Sequence, residues 1–212
     1  MDTRTMLEHL ISDLVSIPSP SGQEDAVSQF VYERLVDSGL SPCRDADGNV
    51  WVETGPRTGD LLHVNGHLDT VVPADGWQTD PFRPVVRGDC LYGLGSSDCK
   101  GGLAAMLILA PRVKPKVRTI FSFTVCEEGG GHKENGSRRM ASLGGRWAIT
   151  VEPSCRPDGV CVSLGTQGHA RAVVRFAGKS AHSSRPDLGE NAIVAAARFV
   201  LAIEELNASF PE

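Results

Sequence analysis

No CxxC pair occurs in this chain. Its six cysteines, at 43, 90, 99, 126, 155 and 161, are scattered, which argues against a thiolate-type structural zinc site. Free, mostly buried thiols in a reducing compartment are expected instead. No apolar run is long enough to span a bilayer. The opening residues, MDTRTMLEHL, lack the apolar core of a secretory signal. A cytoplasmic protein without a membrane partner is therefore expected. Excess basic charge is missing as well. The formal net charge is −5, which argues against a nucleic-acid partner. The basic residues around Lys114 and Arg118 are interrupted by Pro115 and read as solvated loop. No internal repeat and no low-complexity segment is present, so a repeat architecture is not expected.

What remains is ordinary material for a packed core: 212 residues, of which 41% are hydrophobic. That suits one large domain, or one domain and part of another. Met6, Leu7, Leu10, Ile11 and Leu14 form a helical stripe over residues 3–16. IPSPSGQ breaks it. Ser21 is placed to cap a second helix, which ends near Gly39. Strands are expected at 49–54, from Leu61 to Asp69, at 117–125, at 146–151 and at 159–164. GGLAAMLILA is small and apolar throughout, as a buried helix would be. HARAVVRFAGKS alternates, as in a half-exposed sheet. A long amphipathic helix should end near Asn207. Alternating strands and helices predict an α/β layered core. A change of character near Gly165 to Gly168 predicts a second domain, so the expected domains are 1–166 and 167–212.

Chemistry gathers where the apolar strands end. His67 and Asp69 finish HVNGHLD, two positions apart and so on one face of the strand. Asp98 sits in GLGSSDCKGG, just before the buried helix. Glu127 and Glu128 finish FSFTVCEE, and Glu152 finishes WAITVEP. Singly, each has an ordinary explanation; Asp98, for example, could simply cap the helix that follows. Together they bring a histidine and five carboxylates to the carboxyl edge of one sheet, where α/β proteins bind ligands. Carboxylates so concentrated repel unless protonated or neutralised. One or two divalent cations would neutralise them, and histidine with carboxylate oxygens suits zinc, or cobalt or manganese in its place.

GHLDTV, YGLGSSDCKGGLAAML, EEGGG, VEPS and GKSAHSSRPDLGENAI occur in the order and rough spacing of the metallopeptidase-20 family. The chain resembles that family over nearly its whole length, and the acetylornithine deacetylase branch in particular. The resemblance implies a zinc-peptidase-like layered catalytic domain, with a mixed sheet flanked by helices, plus the start of a smaller α+β lid domain used for dimerisation. It implies two metal ions. His67 resembles the ligand of one, with Glu152 completing that site. Asp98 resembles the carboxylate that bridges both, and Glu128 the ligand of the other. Asp69 resembles the carboxylate that orients His67. Glu127 resembles the general base, which takes a proton from the metal-activated water and passes it to the leaving amine. The Asp98 peptide bond is expected to be cis. His182, in SAHSSRP, resembles the lid histidine that crosses to the partner's site in a homodimer and stabilises the oxyanion. His9, His63, His132 and His169 match no ligand motif.

The expected activity is removal of an acyl group from a small N-acyl amino acid, acetylornithine deacetylase-like. The alternatives in the same class are succinyl-diaminopimelate desuccinylase, another aminoacylase, or a dipeptidase. The alternative of another class is a truncated, non-catalytic relative that binds a ligand or a partner subunit. The family's chains are longer, and the segment after the lid carries one more metal-ligand histidine. No histidine follows His182 here. A fragment of a longer enzyme is the favoured explanation, ahead of a chain completed by a partner or a natural short form.

Overall fold

The computed structural model describes residues 2–129, 134–153, 155–156, 159–165 and 172–209. Their backbone divides into two compact units, Met1–Val162 and Ser163–Glu212.

The first unit opens with two helices, α1 (Thr3–Val15) and α2 (Asp25–Asp37). Asp2 caps α1 by accepting the Thr5 N–H at 3.0 Å, which satisfies one of the free donors of the first turn. Ser21 does not cap α2. The cap position is Glu24, without a side-chain cap bond, and the Ser21 hydroxyl is bonded to Asp69.

Five strands form the main sheet: β1 (Cys43–Arg44), β2 (Val50–Thr54), β3 (Leu61–His67), β6 (Arg118–Thr124) and β7 (Trp147–Thr150), in the order β1-β2-β6-β3-β7. A separate hairpin pairs β4 (Val85–Arg87) with β5 (Cys90–Tyr92). A second small pair joins β8 (Cys155–Arg156) to β9 (Gly159–Val160). In the main sheet β3 runs parallel to β6 and β7, while β2 is antiparallel to β6. The register sets His67 beside Thr124 and Asn65 beside Thr150. The carboxyl ends of β3, β6 and β7 thus lie side by side.

Phe121 and Phe123 of β6 and Val50 and Val52 of β2 belong to one apolar cluster with α1, α2 and α3 (Gly101–Leu109). Each fully buried leucine or phenylalanine there contributes roughly 1.5–3 kcal/mol. Gly66 lets the layers close: a Cβ on it would lie 2.7 Å from Val151 and 2.8 Å from Leu103. The face of β6 opposite Phe121 and Phe123 carries Ile120, Ser122 and Thr124, all buried. Thr124 meets Ser137 of α4 (Gly136–Ala141) at 3.2 Å, and Ser137 donates to Asn65 at 3.2 Å. The sheet is therefore mixed and flanked by helices, as expected.

Other expectations are corrected. Strand 159–164 is only Gly159–Val160 in the described backbone. Residues 172–178 form no strand; Val173 is 80% exposed, and no described strand pairs with it. Of the cysteines, Cys99 and Cys126 are buried, but Cys43 and Cys90 are exposed. The second unit holds α5 (Ala192–Asn207), capped by Asn191, whose side chain accepts from Ile193 N and Val194 N. No helix among the described residues is long and apolar enough to cross a membrane. His132 and His169 lie outside the described residues.

Candidate metal centre

β3 ends on His67, which is buried. Its two ring nitrogens face different partners. Nδ1 stands 2.9 Å from the Asp69 carbonyl and 3.5 Å from Asp69 Oδ1, both acceptors. Nδ1 therefore carries the proton and donates. Nε2 faces Asp98 Oδ1 at 2.9 Å and Glu152 Oε1 at 3.3 Å. A lone pair turned toward two carboxylates needs a proton or a cation between them. Ligand atoms of His67, Asp98, Cys99 and Glu152 all lie within 4.8 Å of one another. An imidazole nitrogen with two carboxylates is a donor set that suits a borderline divalent cation, so these residues fit one.

Asp69 has no exposed surface. Besides His67 it accepts the Glu127 N–H on Oδ1 and the Glu128 N–H on Oδ2, each at 3.0 Å, and the Ser21 hydroxyl on Oδ2 at 2.6 Å. One carboxylate thus holds both the imidazole and the loop after β6. Burial alone would raise the Asp69 pKa, but the bonds from His67, Ser21 and the two backbone amides bring it below the ordinary value. Burial alone would lower that of His67; hydrogen bonding to Asp69, Cys99 and Glu152 raises it well above the ordinary value instead.

Asp98 lies in the irregular turn Ser96–Lys100 that leads into α3, and the Asp98–Cys99 peptide bond is cis, as expected. Gly95 makes the entry, with φ 75° and no room for a Cβ, which would lie 2.6 Å from Thr70. Cys99 Sγ donates to the His67 carbonyl and accepts the His67 N–H, both at 3.2 Å. Lys100 is wholly buried, and its ammonium donates to Leu14 O at 2.9 Å and Ile17 O at 2.8 Å. Burial lowers its pKa to about 8.

The expected site residues are not all placed alike. His67, Asp98 and Glu152 come together at one point, with Asp69 behind the imidazole. Glu127 and Glu128 share the Asp69 clamp through their backbones, although their side chains are absent from the four-residue cluster. Burial raises the pKa of Glu127, helped by Glu152, Asp69 and Asp98; it raises that of Glu128, helped by Asp98. The pKa of Glu152 is lowered, first by its bond to His67. His182 belongs to the second unit; it is exposed, and its Nδ1 accepts the Ser184 N–H at 3.2 Å. Sequence reasoning missed Cys99, Lys100, Ser21 and Glu24. SPSGQE and DCKGG carried those residues, but short polar loops give no sign of which distant group they will meet.

A histidine and carboxylates at the carboxyl ends of parallel strands, in a mixed sheet flanked by helices, define the class of zinc-peptidase-like metalloproteins. The model of Peptidase family M20/M25/M40 matches residues 63–198, and the chain belongs to that family. Succinyl-diaminopimelate desuccinylase of Pseudomonas syringae pv. tomato is 34% identical over 200 residues, covering 87% of this chain and 52% of that enzyme. The enzyme of the same name from Shewanella pealeana is 32% identical over 212 residues, covering 93% and 55%. A tripeptidase from Staphylococcus aureus superposes with a TM-score of 0.64 at 25% identity, covering 94% of this chain and 56% of that one. The aminopeptidase PepT of Bacillus cereus shares the fold with a TM-score of 0.61 at 22% identity, covering 99% and 57%. The chain spans about half the length of the curated relatives it matches.

Proposed function

We propose that this chain supplies the metal centre of a hydrolase that cleaves a linear amide bond, freeing an amino acid from its N-acyl group. The observation that carries this reading is His67 Nε2 facing Asp98 and Glu152, with Nδ1 tied to Asp69. His67 and Glu152 would hold one divalent cation, Asp98 would bridge, and Glu128 would hold a second; zinc is proposed first, with cobalt or manganese able to replace it. Bound cations would supply acidified water and a polarised scissile carbonyl.

Glu127 acts as the general base. Its raised pKa moves the carboxylate toward the range in which it can accept a proton from water and return it to the leaving amine. Asp69 keeps the loop of Glu127 in register with His67. His182 donates to the developing oxyanion from the lid of a partner subunit in a homodimer. Residues 167–212 belong to that lid, and the protein works in the cytoplasm.

For the substrate, the curated relatives favour the alternative over the acetylornithine lead. They are named as desuccinylases, so the proposed acyl group is succinyl and the proposed substrate N-succinyl-diaminopimelate. The test is hydrolysis of that compound beside N-acetylornithine, with added zinc or cobalt, for wild type and Glu127→Ala. We expect the succinyl compound to be cleaved faster. Glu127→Ala should lose about 10²–10⁴-fold in rate while keeping its bound metal. Equal rates for wild type and variant would end the assignment of Glu127. A metal-loaded chain that cleaves neither compound would favour the non-catalytic reading.

A further inference from the structure

The segment between α1 and α2 reaches three loops of the metal centre at once. Ile17 offers its carbonyl to the Lys100 ammonium, which anchors the turn carrying Asp98. Ser19 Oγ donates to the Leu68 carbonyl at 2.9 Å, and Thr70 N donates to the Ser19 carbonyl at 2.9 Å. Those bonds hold the neighbours of Asp69 on both sides. Ser21 Oγ then donates to Asp69 Oδ2 itself. That is the same oxygen that takes the Glu128 N–H.

Glu24, only 1% exposed, completes the set. Its Oε1 accepts the Gly22 N–H at 2.7 Å, the Cys126 N–H at 3.2 Å and the Cys126 thiol at 3.3 Å. Cys126 has φ 57°, the left-handed region that a side-chain-bearing residue enters only when its surroundings hold it there. Glu127 is the next residue. A buried carboxylate must find donors, and this one finds two of them on a strained residue at the entrance to the Glu127–Glu128 loop.

We propose that Ser21 and Glu24 are positioning residues of the metal centre. Ser21 acts through Asp69 and Glu24 through Cys126, and together they set the backbone from which Glu127 and Glu128 project. Without the Ser21 hydroxyl, Asp69 Oδ2 keeps only the Glu128 amide, and the carboxylate is free to turn away from His67. Without the Glu24 carboxylate, Cys126 loses the group that holds its backbone. The proposal rests on the cation reading of the site, but its first readout does not.

That readout is amide hydrogen exchange, followed by NMR on the metal-free 212-residue chain. Ser21→Ala should speed exchange at Glu127 and Glu128 at least about tenfold, the size of one lost charge-assisted bond, with the amides of Phe121 and Val64 unchanged. Ser21→Thr restores the hydroxyl and should restore protection. Glu24→Ala should speed exchange at Cys126 and Glu127, whereas Glu24→Gln, which keeps an acceptor oxygen, should do so less. Should Glu24→Ala fail to fold, the Ser21 pair carries the test. The second readout is cobalt(II) affinity, which Ser21→Ala should lower by about tenfold, as loss of an outer-sphere support does. Exchange at Glu127 and Glu128 that stays unchanged, or changes only in step with Phe121, overturns the proposal. A wild-type chain that binds no cobalt overturns the cation reading beneath it.

Discussion

His67 Nε2 lies 2.9 Å from Asp98 Oδ1, although 31 positions separate the two residues in the chain. The contact exists because β3 delivers the imidazole to the sheet edge and the turn before α3 folds back across it. Cys99 fastens that turn to the His67 backbone, and Lys100 fastens it to the end of α1. A pair formed this way answers to pH and to cations.

A cation at this position must displace the proton that the raised pKa of His67 retains. The sign follows: apparent affinity for zinc or cobalt rises with pH, and binding releases protons. Titration calorimetry in buffers of different ionisation enthalpy should show that release. His67→Ala should weaken binding by more than about a hundredfold, beyond the 10–100-fold that outer-sphere partners contribute. Unchanged affinity would remove His67 from the ligand set.

Asp69→Asn preserves shape but turns one acceptor into a donor. An NH₂ group would then face the Glu127 or the Glu128 N–H, or the Ser21 hydroxyl. We expect a loss of about 1–3 kcal/mol in denaturant unfolding, the cost of a buried unsatisfied group. Cobalt affinity should fall by roughly 10–100-fold. A variant that unfolds like the wild type and binds cobalt as tightly would show that the clamp has no consequence.

Lys100 gives a stability test in the metal-free protein. Its folded pKa of about 8 lies below the ordinary lysine value of 10.5. Between those values the unfolded chain binds more protons, so stability rises with pH across that window. Below about pH 8 the buried charge is carried in full. Relative to Lys100→Met, wild type should gain on the order of 3 kcal/mol from pH 8 to 10.5. Chemical denaturation of both proteins across that range measures it. A difference that is flat with pH would mean the ammonium is not buried in solution.

The apolar pattern made much of the first unit legible. Leu10 and Leu14 mark the buried stripe of α1, and α3 and β6 read directly as buried elements, because burial of an element is a local property of its sequence. That Asp69 would stand near His67 was legible too, although β3 ends at His67 and Asp69 lies beyond the strand. The half-exposed sheet expected over HARAVVRFAGKS was not decided in the same way, for residues 172–178 form no strand. Alternation says that a segment can pair, but pairing needs a neighbour, and none of the described strands supplies one.

By itself, then, the sequence determined which residues could carry the chemistry and at which strand ends they would stand, because side-chain period and strand polarity are written into the chain. Tertiary structure alone decided who holds them. Ser21 looked like a helix cap and instead bonds Asp69; Glu24 and Lys100 carried no signal in the pattern and are buried. Hydrogen bonds between loops 48 and 102 positions apart have no local signature. They depend on where the packed layers bring the backbone, and only the folded core fixes that.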